Sequence, residues 1–388
     1  MPNMAPLLTG QFTGSRSDQK KAKALSDAID KSLRAEKERR QREGGMKLLI
    51  LGPSETGKTT VLKQLKLLYS TRGLDSERQT YRRVVHLNVM KAIQALVEGL
   101  YDANIPLEKE NQEHLKVLSQ LEPTLNRYSI SAMAQANPAI PRKITDAKAE
   151  SDMFLVMVPA IKALWADTGI QQTFNTITHL HIQDSAKYFL DAIDRVSDPE
   201  YIPTDDDILQ ARVKTLAVSE HIFNIDNITY RIFDVGGQKS LRKYWAPYFD
   251  DVNAIIFMAA LSAYDQPCEE NPRLNRLQEC LALFNEIANH KLFTMTSMIL
   301  FLNKIDIFQR KLDAGSLVSK HFPEYRGLND YYSTTVFFQY RFQQQCKDLE
   351  KQVYTHFTHA TDTNQMRVIV VAVNAIVQRL NLHSSGLL

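Results

Sequence analysis

Cysteine is scarce: Cys268, Cys280 and Cys346 are the only three in 388 residues, and no two are spaced as Cys-x-x-Cys. That scarcity supports neither a disulfide framework nor a zinc site, and a reducing, intracellular compartment is expected. Long apolar runs are missing too; none reaches the roughly 18 residues of a membrane span. The first residues, MPNMAPLLTG, lack the charged start and apolar core of a secretory signal. No Gly follows the initiator Met and no Cys precedes Cys268, so neither N-myristoylation nor N-terminal palmitoylation is expected. Charge of one sign is not in excess: a net +3 is too small to argue for nucleic acid. Long repeats and low-complexity tracts are absent. What remains is an ordinary globular composition, 44% hydrophobic and 23% charged, in a chain long enough for more than one domain.

The chain divides by character. Residues 1–45 read as a tail followed by a charged helix. From Arg16 to Glu43 there are ten basic and six acidic side chains, with Ala22, Leu25, Ile29 and Leu33 in one thin apolar stripe. Such a stripe fits a solvated helix or a partner-binding one; its thinness favours the partner. Gly44-Gly45 ends it. Apolar runs at Lys47–Leu51, Ile222–Ile225, Tyr230–Phe233, Ala254–Ala260, Ser297–Leu302 and Arg367–Val373 predict strands. Helical patterns separate the later ones, which predicts a mostly parallel sheet in an α/β domain. Residues 73–203 instead carry helical periodicity, as in Val84, Leu87, Ile93, Leu96 and Leu100, and around Ile161–Ala166 and Ser185–Arg195. They predict an inserted helical domain between residues 46–72 and 204–388. Within it, Ser129–Asp152 reads as a loop.

Gly52 to Thr60 read GPSETGKTT, directly after an apolar strand and before a helical run. Alone, Gly-x-x-x-x-Gly-Lys-Thr fits any glycine-containing loop. Between strand and helix it is a phosphate cradle, with inward N–H groups and a helix N-terminus supplying partial positive charge. Lys58 would then reach the β- and γ-phosphates, and the Thr59 hydroxyl would hold Mg²⁺. Asn303-Lys304-Ile305-Asp306 follows the strand at Met298–Leu302. The Asp306 carboxylate can accept from guanine N1–H and its exocyclic amine, a donor pair that adenine lacks. Asn303 would steady the loop and the Lys304 stem would cover the base. Asp234-Val235-Gly236-Gly237-Gln238 ends another strand. Read as a turn it needs no function; beside a phosphate cradle, Asp234 would contact Mg²⁺ through water, Gly237 would meet the γ-phosphate, and Gln238 would orient water.

With GxxETGKTT, DSAKYFLD, DILQARVKT, DVGGQKSLRKYW, FLNKID and HATDT in this order, the chain resembles the heterotrimeric G-protein α subunits. The resemblance implies a Ras-like P-loop GTPase domain, a mostly parallel six-stranded sheet flanked by helices, with an inserted all-α domain. It implies that Arg212 is a built-in arginine finger and that Thr215 is the second Mg²⁺ ligand beside Thr59. Nucleotide contacts are implied at Glu55, Thr56, Gly57, Lys58, Thr59, Thr60, Asp184, Ser185, Leu209, Gln210, Ala211, Arg212, Val213, Lys214, Thr215, Asp234, Gly237, Asn303, Lys304, Asp306 and Ala360. Glu55 is expected to pair with Arg212. Residues 236–245 correspond to the second switch segment; Trp245 in it reads equally as a packed aromatic. The tail NLHSSGLL corresponds to the receptor-reading end, and otherwise reads as a frayed terminus. The implied partners are a Gβγ dimer, a seven-helix membrane receptor and an effector. The implied location is the inner face of the plasma membrane, held through those partners.

Several positions depart from the family pattern. Ser54 stands where the family carries Gly, beside the point where Arg212 and Gln238 must converge, so slow GTP hydrolysis is expected. Pro53 removes a backbone donor. Leu216-Ala217 replaces Thr-Gly, Lys239 replaces Arg, Leu241 replaces Glu, and His359 replaces Cys. Ser385 stands at the fourth position from the end, where some members have Cys. Two other readings stay open: a non-hydrolysing, guanine-nucleotide-bound scaffold, and a P-loop kinase or ATPase, against which the Asn-Lys-x-Asp loop argues.

Overall fold

The computed structural model describes residues 45–70, 73–119, 147–176, 182–268, 271–294, 296–348 and 350–384. The helix expected at Arg16–Glu43, the loop expected at Ser129–Asp152 as far as residue 146, and Ser385 with the rest of the tail's end lie outside them.

Six strands form one sheet: β1 (Met46–Leu51), β2 (Ser219–Ile225), β3 (Ile228–Asp234), β4 (Ala254–Ala260), β5 (Ser297–Asn303) and β6 (Val353–Thr358). Their order is β2-β3-β1-β4-β5-β6; only β2 and β3 are antiparallel. That hairpin closes at Asp226-Asn227, both at positive φ, as a tight turn between right-twisted strands requires. The period-2 pleat sorts β1 between two cores. Leu49 and Leu51 pack with Ile255, Phe257, Leu300 and Leu302 on one face. Leu48 and Ile50 pack with Ile256, Met258, Ile299 and Phe301 on the other. Helix α1 (Lys58–Tyr69) adds Val61, Leu62 and Leu65 to this second face. Because both faces are covered, these strands read as continuous apolar runs rather than as alternating ones.

A third core lies among helices. The long α2 (Arg78–Asp102) supplies Val84, Val85, Val89, Ile93 and Leu96, all buried. α3 (Gln112–Ser119) packs on α4 (Ala147–Ala166), which with α5 (Thr168–Thr176) and α6 (Ala186–Asp191) packs against α2, and α7 (Ile193–Val196) packs on α6. At its centre His86 is fully buried, stacked on Phe154 and bonded through Nε2 to the Val196 carbonyl at 3.0 Å. Burial pushes this imidazole down to about 4, so it is neutral at physiological pH. The chain returns to the sheet through α8 (Asp205–Gln210), whose Ile208 joins the helical core.

Three sequence expectations are corrected. Arg367–Val373 is not a strand but part of the last helix, Thr363–Ser384. Its β-branched run mimics a strand, yet burial follows a helical period: Met366, Ile369, Val370, Val373 and Val377 are buried, whereas Val368 is 70% and Val371 58% exposed. The sixth strand is Val353–Thr358 instead, an edge strand whose residues are mostly half-buried and whose sequence lacks a long apolar run. Residues 147–152 of the expected loop belong to α4. Finally, the segment Ser185–Arg195 breaks at Ala192 into α6 and α7.

Candidate functional site

Strand β1 stops at Leu51 and α1 begins at Lys58, so residues 52–57 turn at the C-terminal edge of the parallel strands. Gly57 has φ 99°, and a Cβ there would sit 2.3 Å from Asn303 Nδ2; no other residue fits. Glu55 also takes a left-handed φ, 63°. Its carboxylate is held by ion pairs to Arg212 and, at 3.0 Å, to Arg276. Burial favours the neutral acid, but the Arg212, Arg276 and Lys304 charges outweigh it and hold the carboxyl at about 2. Lys58 Nζ donates to the Gly52 carbonyl at 3.0 Å and the Pro53 carbonyl at 2.7 Å. Burial lowers this ammonium to about 8, and Asp234 opposes the fall.

Beside Lys58 three oxygens converge. Thr59 Oγ1 lies 2.9 Å from Thr215 Oγ1 and donates to Asp234 Oδ2 at 2.8 Å. Thr215 Oγ1 lies 3.5 Å from the same carboxylate oxygen. Asp234 is buried, its acidity weakened by burial, and its Oδ1 has no hydrogen-bond partner among the described residues. Two hydroxyls and a buried carboxylate with an orphaned oxygen fit a hard, oxygen-seeking cation such as Mg²⁺.

The segment after β3 closes over the turn. A Cβ on Gly237 would lie 2.5 Å from Lys58 Nζ and from the Pro53 carbonyl carbon, so only glycine lets this backbone approach so closely. Gln238 follows and lines the cavity. Trp245 is buried, and its indole N–H donates to the Gly236 carbonyl at 3.0 Å. Arg242 bonds Glu279 at 2.6 Å, tying the segment to the helix Arg276–Ala288.

At the other end of the cavity, Asn303 joins three pieces of chain. Its Nδ2 donates to the Thr56 carbonyl at 2.8 Å, and its Oδ1 accepts from Thr358 Oγ1 at 2.9 Å and from Ala360 N at 3.1 Å. Gln64 donates to the Ala360 carbonyl at 2.9 Å. Lys304, at φ 61°, pairs with Asp184. Asp306 Oδ2 lies 3.5 Å from His359 Nε2 and 3.6 Å from the Arg310 guanidinium.

The stretch Leu209–Thr215 forms the remaining wall. Helix α8, which ends in the first two residues of this stretch, is anchored by Asp207, fully buried, which accepts from Tyr188, Tyr201, Arg195 and the Thr204 N–H. Burial would raise this carboxyl, but those donors, Arg195 foremost, hold it well below the usual carboxylate range. At the helix's other end Lys63 Nζ donates to the carbonyls of Ile208 at 2.8 Å and Ala211 at 2.7 Å, satisfying acceptors that a helix C-terminus leaves open.

These walls enclose a cavity of about 450 Å³. All but two of the residues expected from sequence line it: Thr56 is buried beneath the turn, and Asp234 lies behind Thr59. The cavity also takes in residues that the sequence reading did not assign to it, among them Lys63, Gln183, Tyr188, Asp191, Arg310 and Thr361. Of these, Tyr188 and Asp191 lie inside DSAKYFLD and Thr361 inside HATDT; the others fall in no motif.

Comparison with known proteins gives a consistent result. A family model described as G-protein alpha subunit matches residues 23–377. The chain is 38% identical over 376 residues to the G-protein complex alpha subunit of Aspergillus fumigatus, covering 97% of this chain and 99% of that protein. It is equally similar, 38% over 376 residues with the same coverage, to the guanine nucleotide-binding protein alpha-1 subunit of Mycosarcoma maydis. A guanine nucleotide-binding protein subunit alpha of Emericella nidulans is 37% identical over 375 residues, again across 97% and 99% of the two chains.

Proposed function

The chain belongs to the G-protein α-subunit family, and from that premise we propose that the cavity is its GTP/GDP site, with Arg212 and Gln238 serving hydrolysis. As a member, it is a guanine-nucleotide-binding signal transducer, in a family whose members are generally GTPases and whose fold is a Ras-like domain with a helical insertion. One observation carries the residue assignment: Lys58, Thr59, Arg212, Gln238 and Asp306 all line the same 450 Å³ cavity.

The proposed roles combine this placement with the family's pattern. Lys58 and the N–H groups opening α1 hold the β- and γ-phosphates. Thr59 and Thr215, backed by Asp234, would hold Mg²⁺, which when bound supplies charge neutralisation between those phosphates. Gly237 offers its N–H to the γ-phosphate, and Gln238 orients the attacking water. Arg212 neutralises charge that builds on the bridging and γ oxygens as the bond breaks. Glu55 holds that guanidinium in the ground state and yields it as charge builds in the transition state. Asp306 reads guanine; Ala360 N–H, which bonds Asn303 Oδ1 in this structure, would be shared with or turn to the base's carbonyl oxygen, and Lys304 with Asp184 and Ser185 closes the mouth. Residues 73–203 form the inserted domain on its own core, and α8 packs against that core as the return connection.

Partners follow from the family. We assign Gβγ to the segment Arg16–Glu43, whose sequence predicts a helix, and to residues 236–245, an effector to those same residues, and a seven-helix receptor to the C-terminal tail. Tyr244 in the shared segment is 56% exposed and available for such contacts. Among the described residues no helix is long and apolar enough to cross a membrane. Peripheral attachment at the inner face of the plasma membrane would therefore run through the partners.

Ser54 sets the expected rate. It lines the cavity together with Arg212 and Gln238, where a side chain crowds the transition state more than the ground state. Single-turnover GTP hydrolysis is therefore expected to be slow, and Ser54→Gly to speed it by roughly tenfold, about 1.4 kcal/mol in barrier, with GTP affinity unchanged. A variant no faster than the parent refutes this assignment. A parent that binds GTP with Mg²⁺ yet releases no phosphate over long incubation would instead favour the second reading, a nucleotide-bound scaffold, which the same crowding at Ser54 motivates.

A further inference from the structure

Asn88 sits in the middle of α2, buried to 3% exposure between Leu87 and Val89 of the helical core. A carboxamide there is costly unless both its ends are paired. Both are, and both with one residue. Asn88 Oδ1 accepts from the Arg212 N–H at 2.7 Å, and Asn88 Nδ2 donates to the Arg212 carbonyl at 3.1 Å. Only one orientation of the amide satisfies this pair, because Arg212 presents a main-chain donor and a main-chain acceptor together.

These two bonds fix where the arginine side chain starts. Its guanidinium is held by Glu55, a contact that hydrolysis must break. The Asn88 bonds use only the backbone, so they persist when the guanidinium moves. Lys63 fixes the carbonyl of the preceding residue, Ala211, from α1. Arg212 thus begins from a peptide clamped on both polar groups, and a long, flexible side chain loses less freedom in reaching the γ-phosphate.

We propose that Asn88 is a positioning residue for hydrolysis, which clamps the Arg212 peptide so that its guanidinium is delivered to the transition state. This rests on Arg212 being the arginine that acts in the reaction. Aspartate at this position keeps the acceptor but loses the donor; alanine loses both.

The test is single-turnover GTP hydrolysis by full-length Asn88→Ala and Asn88→Asp proteins, each also made in an Arg212→Ala background. Binding of GDP alone and of GDP with aluminium fluoride, a mimic of the transferring phosphoryl group, is measured alongside. Asn88→Ala is expected to slow hydrolysis about tenfold or more and to weaken the aluminium fluoride complex in proportion, with GDP affinity kept. Asn88→Asp should fall between alanine and the parent, and it is the variant to read if alanine fails to fold. In the Arg212→Ala background either substitution should cost nothing further. Equal losses in both backgrounds, or GDP affinity falling as much as the aluminium fluoride complex, would overturn the clamp and leave a merely structural residue. If Arg212→Ala does not itself slow hydrolysis, the arginine assignment fails first and the clamp falls with it.

Discussion

Replacing Arg212 with alanine is expected to slow single-turnover GTP hydrolysis by roughly 10³-fold, the low end of the 10³- to 10⁵-fold range general to arginine fingers of G-protein GTPases. The low end is appropriate because Ser54 already handicaps the parent. Affinity for GTP should change little, since in the proposed mechanism Glu55 keeps the guanidinium until the transition state. A loss confined to the chemical step is the signature of an interaction made only in the transition state. Rapid-quench phosphate release from preloaded protein, with GTP affinity measured separately, resolves the two. Should affinity and rate fall together by similar factors, Arg212 would be a ground-state phosphate ligand and not a catalytic one.

The second large effect is expected at Asp306. Its Oδ2 already faces His359 and Arg310, and the carboxylate lines the cavity beside Lys304. Two charge-assisted hydrogen bonds to guanine, each worth about 1.5–3 kcal/mol, correspond to a roughly 10²- to 10⁴-fold loss of guanine nucleotide affinity in Asp306→Asn. The new amide N–H would face the exocyclic amine of guanine, donor against donor. Xanthine carries a carbonyl at that position, so the same variant should gain affinity for xanthosine nucleotides. Equilibrium competition among guanosine, xanthosine and adenosine nucleotides checks both directions. Unchanged guanosine preference in the variant would move base reading to another residue.

How much of this was legible in the sequence depends on the range of the interaction. The turn at residues 52–60 and the tetrapeptide Asn303–Asp306 carry their chemistry in a few adjacent residues, so they stood out before any fold was known. Buried strands β1, β4 and β5 were plain for a similar reason: a sheet covered on both faces needs unbroken apolar runs. β6 was not, because an edge strand needs no such run, and its role was given to Arg367–Val373, whose β-branched composition hides a helical burial pattern. Arg212 was visible only through resemblance; its own neighbourhood reads as an ordinary surface arginine. Asn88 had no signal at all. Its partner lies 124 residues away, and a single Asn inside a long helix suggests nothing beyond a weak helix former. Lys63 was hidden likewise, since it acts on carbonyls 145 and 148 residues away, whereas Asp207 stands in DILQARVKT and caps its helix with nearby Thr204.

The central claim is that one cavity grips a triphosphate with main-chain amides, Lys58 and a magnesium ion while Asp306 selects guanine. Competition between GTP and ATP for the purified full-length protein, with and without Mg²⁺, tests it most directly. GTP should win by at least about 10⁴-fold, as sites built around a buried hydrogen-bond partner achieve, and chelating the metal should weaken its binding. Comparable affinity for the two nucleotides, or indifference to magnesium, would contradict the account.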